Sequence, residues 1–465
     1  MSWNDFAKHA KDAADWGAAY HTTLRDRPVR AQTAPGDTAR QLDDTPPEDG
    51  CDLGAIMADF EKVVMPGITH WQHPRFFAYF SSNAAPASVL AEFLASIIAP
   101  QCMLWQTSPA ATEMETRMME WLCHGLGLPD IYQGVIQDSA SSATLAAVLT
   151  MRERALNFRG NIEGLHGAPQ LRIYCSDQVH SSIDRAIWVA GIGSDNLVKI
   201  RTTGDLRSMD PLDLETAIAE DKAAGRIPAG IIAATGATGM GACDDLEAVA
   251  AIAKEHDLYT HLDAAWAGSA MICPEFRALW TGADQFDSIV FNPHKWLGAQ
   301  FDCAAHFLRD PDVLRQTLAI RPEYLKTHGT EDVTDYSEWS IPLGRRFRAL
   351  KLWFLMRHYG MEGLRTRIRN HVKWSQALCE RLRAEADFVI VTEPILSLWT
   401  FKAAGASDDQ TQALVDAIND DGRIYLTQTL VDGQKVIRFT AGQFDCEERD
   451  FNTAFDTITE LARAM

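Results

Sequence analysis

Between residues 86 and 360, short β-branched runs alternate with Ala-, Leu- and Glu-rich stretches of helical length, and this alternation restricts the fold more than any other feature. The runs fall at 134–137, 171–175, 230–234, 259–263 and 288–292. Strands separated by helices cannot pair as hairpins, because each helix must cross a face of the sheet before the chain returns. They pair in parallel through right-handed crossovers, as a doubly wound α/β sheet. Residues 361–465 follow another order: a long basic helix, a strand at 395–402, a helix at 408–419, strands at 423–427 and 435–440, and a last helix. That order predicts a smaller α+β domain. Residues 1–85 hold an amphipathic helical opening, a linker with Pro, Asp and Gly at 33–52, and a second helical pattern at 53–64. This segment has too little apolar pattern for its own core and is expected to pack on something else. The expected division is 1–85, 86–360 and 361–465.

In open parallel sheets, ligands bind beyond the carboxyl ends of the strands, and four of these ends carry suggestive groups. After 134–137 come Asp138, Ser139, Ala140, Ser141 and Ser142, small residues opening a helix. The free N–H groups of such a helix start suit a phosphate, although for this stretch taken alone a serine cap with no ligand is the favoured reading. After 171–175 comes His180, whose ring can stack on a planar molecule or cap a helix. Asp263 ends the run 259–263 and is followed by Ala264 and Ala265. A carboxylate there can hold a protonated ring nitrogen, with room for a flat ring against Ala265, or it can cap a helix. Finally Asn292, Pro293 and His294 lead to Lys295, an amine able to form a Schiff base with a carbonyl compound. The glycine-rich turn at 234–241 imitates a dinucleotide fingerprint, but its spacing does not match Gly-x-Gly-x-x-Gly.

Composition narrows the partners. Lys and Arg total 43 against 63 Asp and Glu, a formal charge of −20 that argues against binding to nucleic-acid phosphates. The nine cysteines include no Cys-x-x-Cys pair, and an odd count fits reduced thiols. His70 and His73 lack a third ligand nearby, so no metal site is expected. The apolar stretch at 90–99 is interrupted by Glu92 and is too short to span a bilayer. The first residues carry charges throughout and lack a signal peptide's apolar core, which makes a cytoplasmic protein the expectation.

Several longer motifs occur in order: Met65 to Trp71, Phe76 to Phe80, Ser176 to Ser182, His261 to Ala270, Asn292 to Trp296, and Ile341 to Arg348. With them the chain resembles the pyridoxal-phosphate-dependent group II decarboxylases, and most closely the aromatic L-amino acid decarboxylases, from about Asp52 to near the C-terminus. The resemblance implies a type I pyridoxal-phosphate enzyme fold, with Lys295 as the cofactor lysine, Asp263 on the pyridine nitrogen and His180 stacked on the ring. It makes Ala140, Ser141 and Asn292 phosphate-site residues, adds Thr238, and brings Ala265 and His294 into the cofactor set by their place in the motifs. Relatives carry glycine at Asp138, whose carboxylate is therefore expected to point away and cap the helix. Ser82 stands where those enzymes have threonine.

The resemblance also implies an activity. The family breaks the bond between Cα and the carboxylate and then protonates Cα from a tyrosine on a mobile loop, here expected to be Tyr336 at the end of the polar stretch 326–335. Relatives that make aldehydes oxidatively have phenylalanine for that tyrosine or asparagine for the stacked histidine. Tyr336 and His180 together therefore favour simple decarboxylation, an amine-forming lyase reaction. Trp71, Phe80, Ser82, Met103 and Trp105 are the expected border of an apolar substrate slot. Gly344 leans toward indole substrates, as in plant relatives, while Gln101 and Met103 alter the slot relative to the animal enzymes. An aldehyde synthase and a decarboxylase of a non-aromatic amino acid are the alternatives within the family. An aminotransferase using Arg345, Arg346 or Arg348 as a carboxylate clamp and an inactive scaffold are the rivals outside it. The family forms homodimers with shared active sites, and the expected partners are an amino acid and a second copy.

Overall fold

The computed structural model describes residues 1–320 and 333–465. Its larger sheet has seven strands: β1 (Gln133–Gln137), β2 (Leu171–Ser176), β3 (Leu197–Ile200), β4 (Ile227–Ala234), β5 (Tyr259–Asp263), β6 (Ser288–Phe291) and β7 (Ala304–Leu308). Their order is β1-β7-β6-β5-β4-β2-β3, and β7 alone runs antiparallel, to both β1 and β6. The mainly parallel, doubly wound sheet expected from the alternation is present. Strands β3 and β7 were not expected. The first is a four-residue edge strand, and Ala304-Ala305-His306 lacks a β-branched signature until the fold buries it. The core is packed between sheet and helices, for example where Ile173, Cys175 and Ile232 of the strands meet Val148, Met151, Ile183 and Ile187 of two helices.

The smaller sheet comprises β8 (Phe388–Ile395), β9 (Leu398–Ala403), β10 (Thr427–Val431) and β11 (Gln434–Thr440), in the order β8-β9-β11-β10. Two expectations change here. The strand expected at 395–402 is β9, which begins at Leu398, and an unexpected strand, β8, precedes it across a turn at Leu396 with φ +55°. The strand expected at 423–427 begins instead at Thr427, because Asp432-Gly433 closes a tight hairpin with both residues at positive φ, 51° and 77°. That dipeptide was a legible signal.

Contacts divide the chain into two compact units. One comprises Met1–Ser81, Trp374–Val391 and Thr400–Met465, and the other Ser82–Lys373 and Thr392–Trp399. The N-terminal residues therefore pack on the C-terminal part of their own chain. Arg25 donates to the buried carboxylate of Asp450 at 2.9 and 3.0 Å, and the Val29 N–H reaches the Gly422 carbonyl at 2.9 Å. The first helix, Trp3–Thr23, nevertheless buries no residue. Among the described residues, no helix is long and apolar enough to cross a membrane.

Candidate active site

The groups singled out in the sequence converge on one rim of the larger sheet, at the carboxyl ends of β1, β2, β4, β5 and β6. Lys295 sits in a single helical turn, Pro293–Leu297, that begins where β6 ends. It is half-buried while every neighbour from Phe291 to Leu297 is buried, so the turn exposes one amine. Asn83 straps this turn from outside. Its backbone N–H donates to the His294 carbonyl at 2.8 Å, and its side-chain amide donates to the Lys295 carbonyl. Sequence reasoning missed Asn83, and no local signal could have found a contact across 212 residues.

Asp263 ends β5 and is buried, with one carboxylate oxygen accepting the Ala265 N–H at 3.0 Å. Beside it Ala265 packs against Ala140, Ala143 and Val290, which ties the β5 loop to the start of the helix Ala140–Ala155. Gly268 lets this loop press on β6, since a Cβ there would lie 2.3 Å from that of Phe291. The indoles of Trp266 and Trp296 stack at 5.0 Å and 8°, joining the Asp263 loop to the Lys295 turn, and the Trp296 ring N–H donates to His371 at 2.9 Å.

His180 caps the helix Ser181–Val189, its Nδ1 accepting the Ser182 N–H at 3.1 Å. Desolvation pulls its pKa below the usual value, the Asp263 carboxylate opposes this, and the Lys295 ammonium adds to it, so the three side chains share one field. His294 is buried, accepts the Cys303 N–H on Nδ1 at 2.9 Å, and is pushed to about 3 by burial and then by the Lys295 charge. It is neutral at working pH. Thr238 lies half-buried in the turn after β4.

The residues fit a phosphorylated, planar cofactor. The helix from Ala140 starts with N–H groups that no preceding turn can satisfy. The Asn292 side-chain oxygen and the Thr235 hydroxyl, at the ends of β6 and β4 on either side of β5, are buried with no partner among the described residues. Only one oxygen of Asp263 is used by its own loop. These are polar groups left for a ligand. The cap at this helix is not Asp138 as expected. Ser139 accepts the Ser142 N–H at 3.2 Å, and Asp138 accepts the Ser139 hydroxyl at 3.5 Å, because the extended backbone of Ser139 aims its side chain at the first turn.

Tyr336 stands apart from this group, which corrects its expected place on a lid. Its ring is 3% exposed and packs with Val135, Ala146, Leu308, Leu314 and Trp339. Its hydroxyl bonds Thr116 at 2.8 Å, and the Arg345 guanidinium lies over the ring at 5.0 Å. A side chain so enclosed cannot reach a substrate without leaving its pocket. The stretch 326–335 lies outside the described residues up to 332, as does Tyr324, the other tyrosine between Lys295 and Tyr336.

The expected substrate residues are distributed. Ser82, half-buried, adjoins Asn83 and so the Lys295 turn. Met103 accepts the Ser337 N–H at 3.0 Å, and the Trp105 N–H donates to Asp335 at 2.8 Å. Gly344 is exposed beside Gln101 in a cleft of about 470 Å³. Trp71 and Phe80 belong to the other compact unit, where Trp71 stacks on Tyr79 at 5.7 Å and Phe80 lies 4.7 Å beneath the Arg438 guanidinium. Among the described residues, no group of His, Cys, Asp and Glu is arranged to hold a metal, and His70 bonds Tyr20 instead.

Comparison with known proteins agrees with the fold. Residues 35–404 match the pyridoxal-dependent decarboxylase conserved domain. The chain is 38% identical to the aromatic-L-amino-acid decarboxylase of Sus scrofa, covering 100% of this chain and 98% of that one. It is 36% identical to the phenylacetaldehyde synthase of Arabidopsis thaliana over 96% and 94% of the two chains. The crystal structure of Oryza sativa TDC with PLP and tryptamine superposes with a TM-score of 0.96 at 33% identity, over 100% of this chain and 99% of that one. A rim with a lysine, a buried carboxylate and an open helix start fits a pyridoxal-phosphate enzyme. This chain belongs to the pyridoxal-dependent decarboxylase family, and it is a carboxy-lyase that uses pyridoxal phosphate.

Proposed function

We propose that this enzyme decarboxylates an aromatic L-amino acid to its amine and CO2. The carrying observation is the meeting of His180, Asp263 and Lys295 in one electrostatic neighbourhood on the sheet rim. Bound pyridoxal phosphate supplies an electron sink for the pair released when the Cα–carboxylate bond breaks. Lys295 presents the primary amine that would hold the cofactor's carbonyl carbon. The second carboxylate oxygen of Asp263 would hold a proton on the ring nitrogen. The N–H groups of Ala140 and Ser141, with Asn292, would hold the phosphate, and Ala265 would leave room for a flat ring. His180 offers a neutral ring face and an N–H edge. The proton that replaces the carboxylate at Cα comes from a tyrosine in the family, and with Tyr336 enclosed that role passes to Tyr324.

The aldehyde synthase among the relatives makes the oxidative branch the second reading. His180, with Tyr324 as the proposed proton donor, weighs against it. An aminotransferase clamp is disfavoured because Arg345 pairs with Glu115 at 2.6 Å, Arg348 with Asp302 at 2.7 Å, and Arg346 with Glu92. The substrate class rests on the relatives and on Gly344, which leaves room beside Gln101 and favours an indole. We further read the protein as a homodimer that completes its sites from both copies. Six large apolar side chains of the helix Pro86–Ile98 are exposed: Val89, Leu90, Phe93, Leu94, Ile97 and Ile98. Nine free thiols, eight of them buried, suit a reducing cytoplasm.

Product analysis tests the reaction. Purified enzyme with pyridoxal phosphate and competing tryptophan, tyrosine, phenylalanine and dihydroxyphenylalanine is expected to release CO2 and one aromatic amine in equal amounts. Aldehyde with peroxide, or keto acid without CO2, would overturn the reading.

A further inference from the structure

Ser182 engages His180 twice at the same atom. Its backbone N–H points at Nδ1 from 3.1 Å, and its hydroxyl oxygen lies 2.9 Å from that nitrogen. A nitrogen that accepts an N–H presents a lone pair, so the neutral ring carries its proton on Nε2. When the ring takes a second proton, Nδ1 becomes a donor. The Ser182 N–H cannot receive it, and the Ser182 hydroxyl is the acceptor in contact. One residue therefore supplies the partner of each protonation state.

We propose that Ser182 is a positioning residue for His180: its N–H fixes the Nε2-protonated tautomer, and its hydroxyl sets the pH at which the ring gains charge. The inference rests on the reading of His180 as part of the decarboxylation site. Other groups act on the ring as well. Asp263 and Asp184 favour its charged form, while Lys295, Arg185 and burial disfavour it. The hydroxyl adds to the first group, since a bond to the charged form is worth more than one to the neutral form. Removing it lowers the pH at which His180 titrates. Ser181, the neighbour in the same motif, has no such contact with the ring. The distinction between two adjacent serines is therefore one of placement in the first turn of the helix Ser181–Val189.

The test uses full-length holoenzyme, labelled with ¹⁵N in the histidine rings, as the wild type and as Ser182→Ala and Ser182→Thr. The His180 signals are assigned by their loss in His180→Asn. The wild type is expected to show the Nε2–H tautomer. Ser182→Ala is expected to keep that tautomer and titrate about one pH unit lower, by the loss of a charge-assisted hydrogen bond partly replaced by water, and Ser182→Thr to restore the wild-type midpoint. An Nδ1–H tautomer in the wild type, or an unchanged midpoint in Ser182→Ala, overturns the proposal whatever the activity does. A lowered midpoint with no matching move in the acid limb of kcat/KM supports the Ser182 contact and overturns instead the assignment of His180 to the reaction.

Discussion

Among single residues, Tyr336 separates motif reading from structure most sharply. A tyrosine after a polar stretch reads as a lid residue, yet burial holds this phenol's pKa well above 10, and its hydroxyl already has a partner in Thr116. Tyr336→Phe is expected to cost about 1 kcal/mol of stability, the net worth of one hydrogen bond, and to leave kcat within about twofold by the same argument that it touches no substrate. Tyr324→Phe is expected to cut amine formation by at least about 100-fold, as loss of a general acid does. Urea denaturation and initial rates on the two variants check both statements, and a large kcat loss in Tyr336→Phe alone would restore the lid assignment. Gly344 carries a finer expectation. A Cβ there would lie 3.2 Å from the Gln101 amide, so Gly344→Ser must displace Gln101, which also holds the Arg345 N–H at 2.7 Å. The variant is expected to fold and to lose preference for indole over phenol substrates, read as a ratio of kcat/KM values.

Between elements, a buried polar chain links the parts of the site. Thr144, on the helix that starts at Ala140, bonds His261 of β5 at 3.2 Å. His261 bonds Ser288 of β6 at 2.8 Å, and Ser288 bonds His306 of β7 at 2.8 Å. The helix start, Asp263 and Lys295 are thereby tied beneath the rim. The chain works only with uncharged rings, and burial keeps them so: His306 titrates at about 3 and His261 lies well below its usual value. His73, His294 and His371 are also held near 3 by burial. As pH falls through about 6.5, the unfolded chain binds protons on these histidines while the folded chain does not until about 3. Stability present in full above 6.5 is therefore lost on acidification, by at most about 1.4 kcal/mol per pH unit for each histidine. Asp244, raised to about 6 by burial, and Asp287, also raised by burial, act in the opposite sense but are outnumbered by the buried histidines. Urea midpoints at pH 8, 6 and 5 are expected to fall, most steeply below 6. A flat profile would show that these rings are charged or exposed.

At the scale of the molecule, the exposed apolar face of the helix Pro86–Ile98 calls for a cover, and a second copy is the proposed one. Phe93→Glu is expected to yield monomer by light scattering and to lose most activity while keeping its far-UV spectrum. A fully active monomer would end the shared-site reading.

Some of this was legible before any coordinates. Strand and helix periods are local, so the alternation announced β1, β2, β4, β5 and β6. Because a parallel sheet puts the ends of its strands on one rim, Ala140, His180, Asp263 and Lys295 were expected together from their positions alone. Asp432-Gly433 also carried its hairpin openly. The rest depended on contacts far apart in the chain. Nothing near Asn83 announces the strap on Lys295, and nothing near Tyr336 announces Thr116 and Arg345, because burial and hydrogen-bond partners are properties of packing. The choice of Ser139 over Asp138 as cap was likewise set by backbone angles. Period and motif act over a few residues and fix which chemistry the rim can hold, whereas tertiary packing decided which side chains are free to perform it.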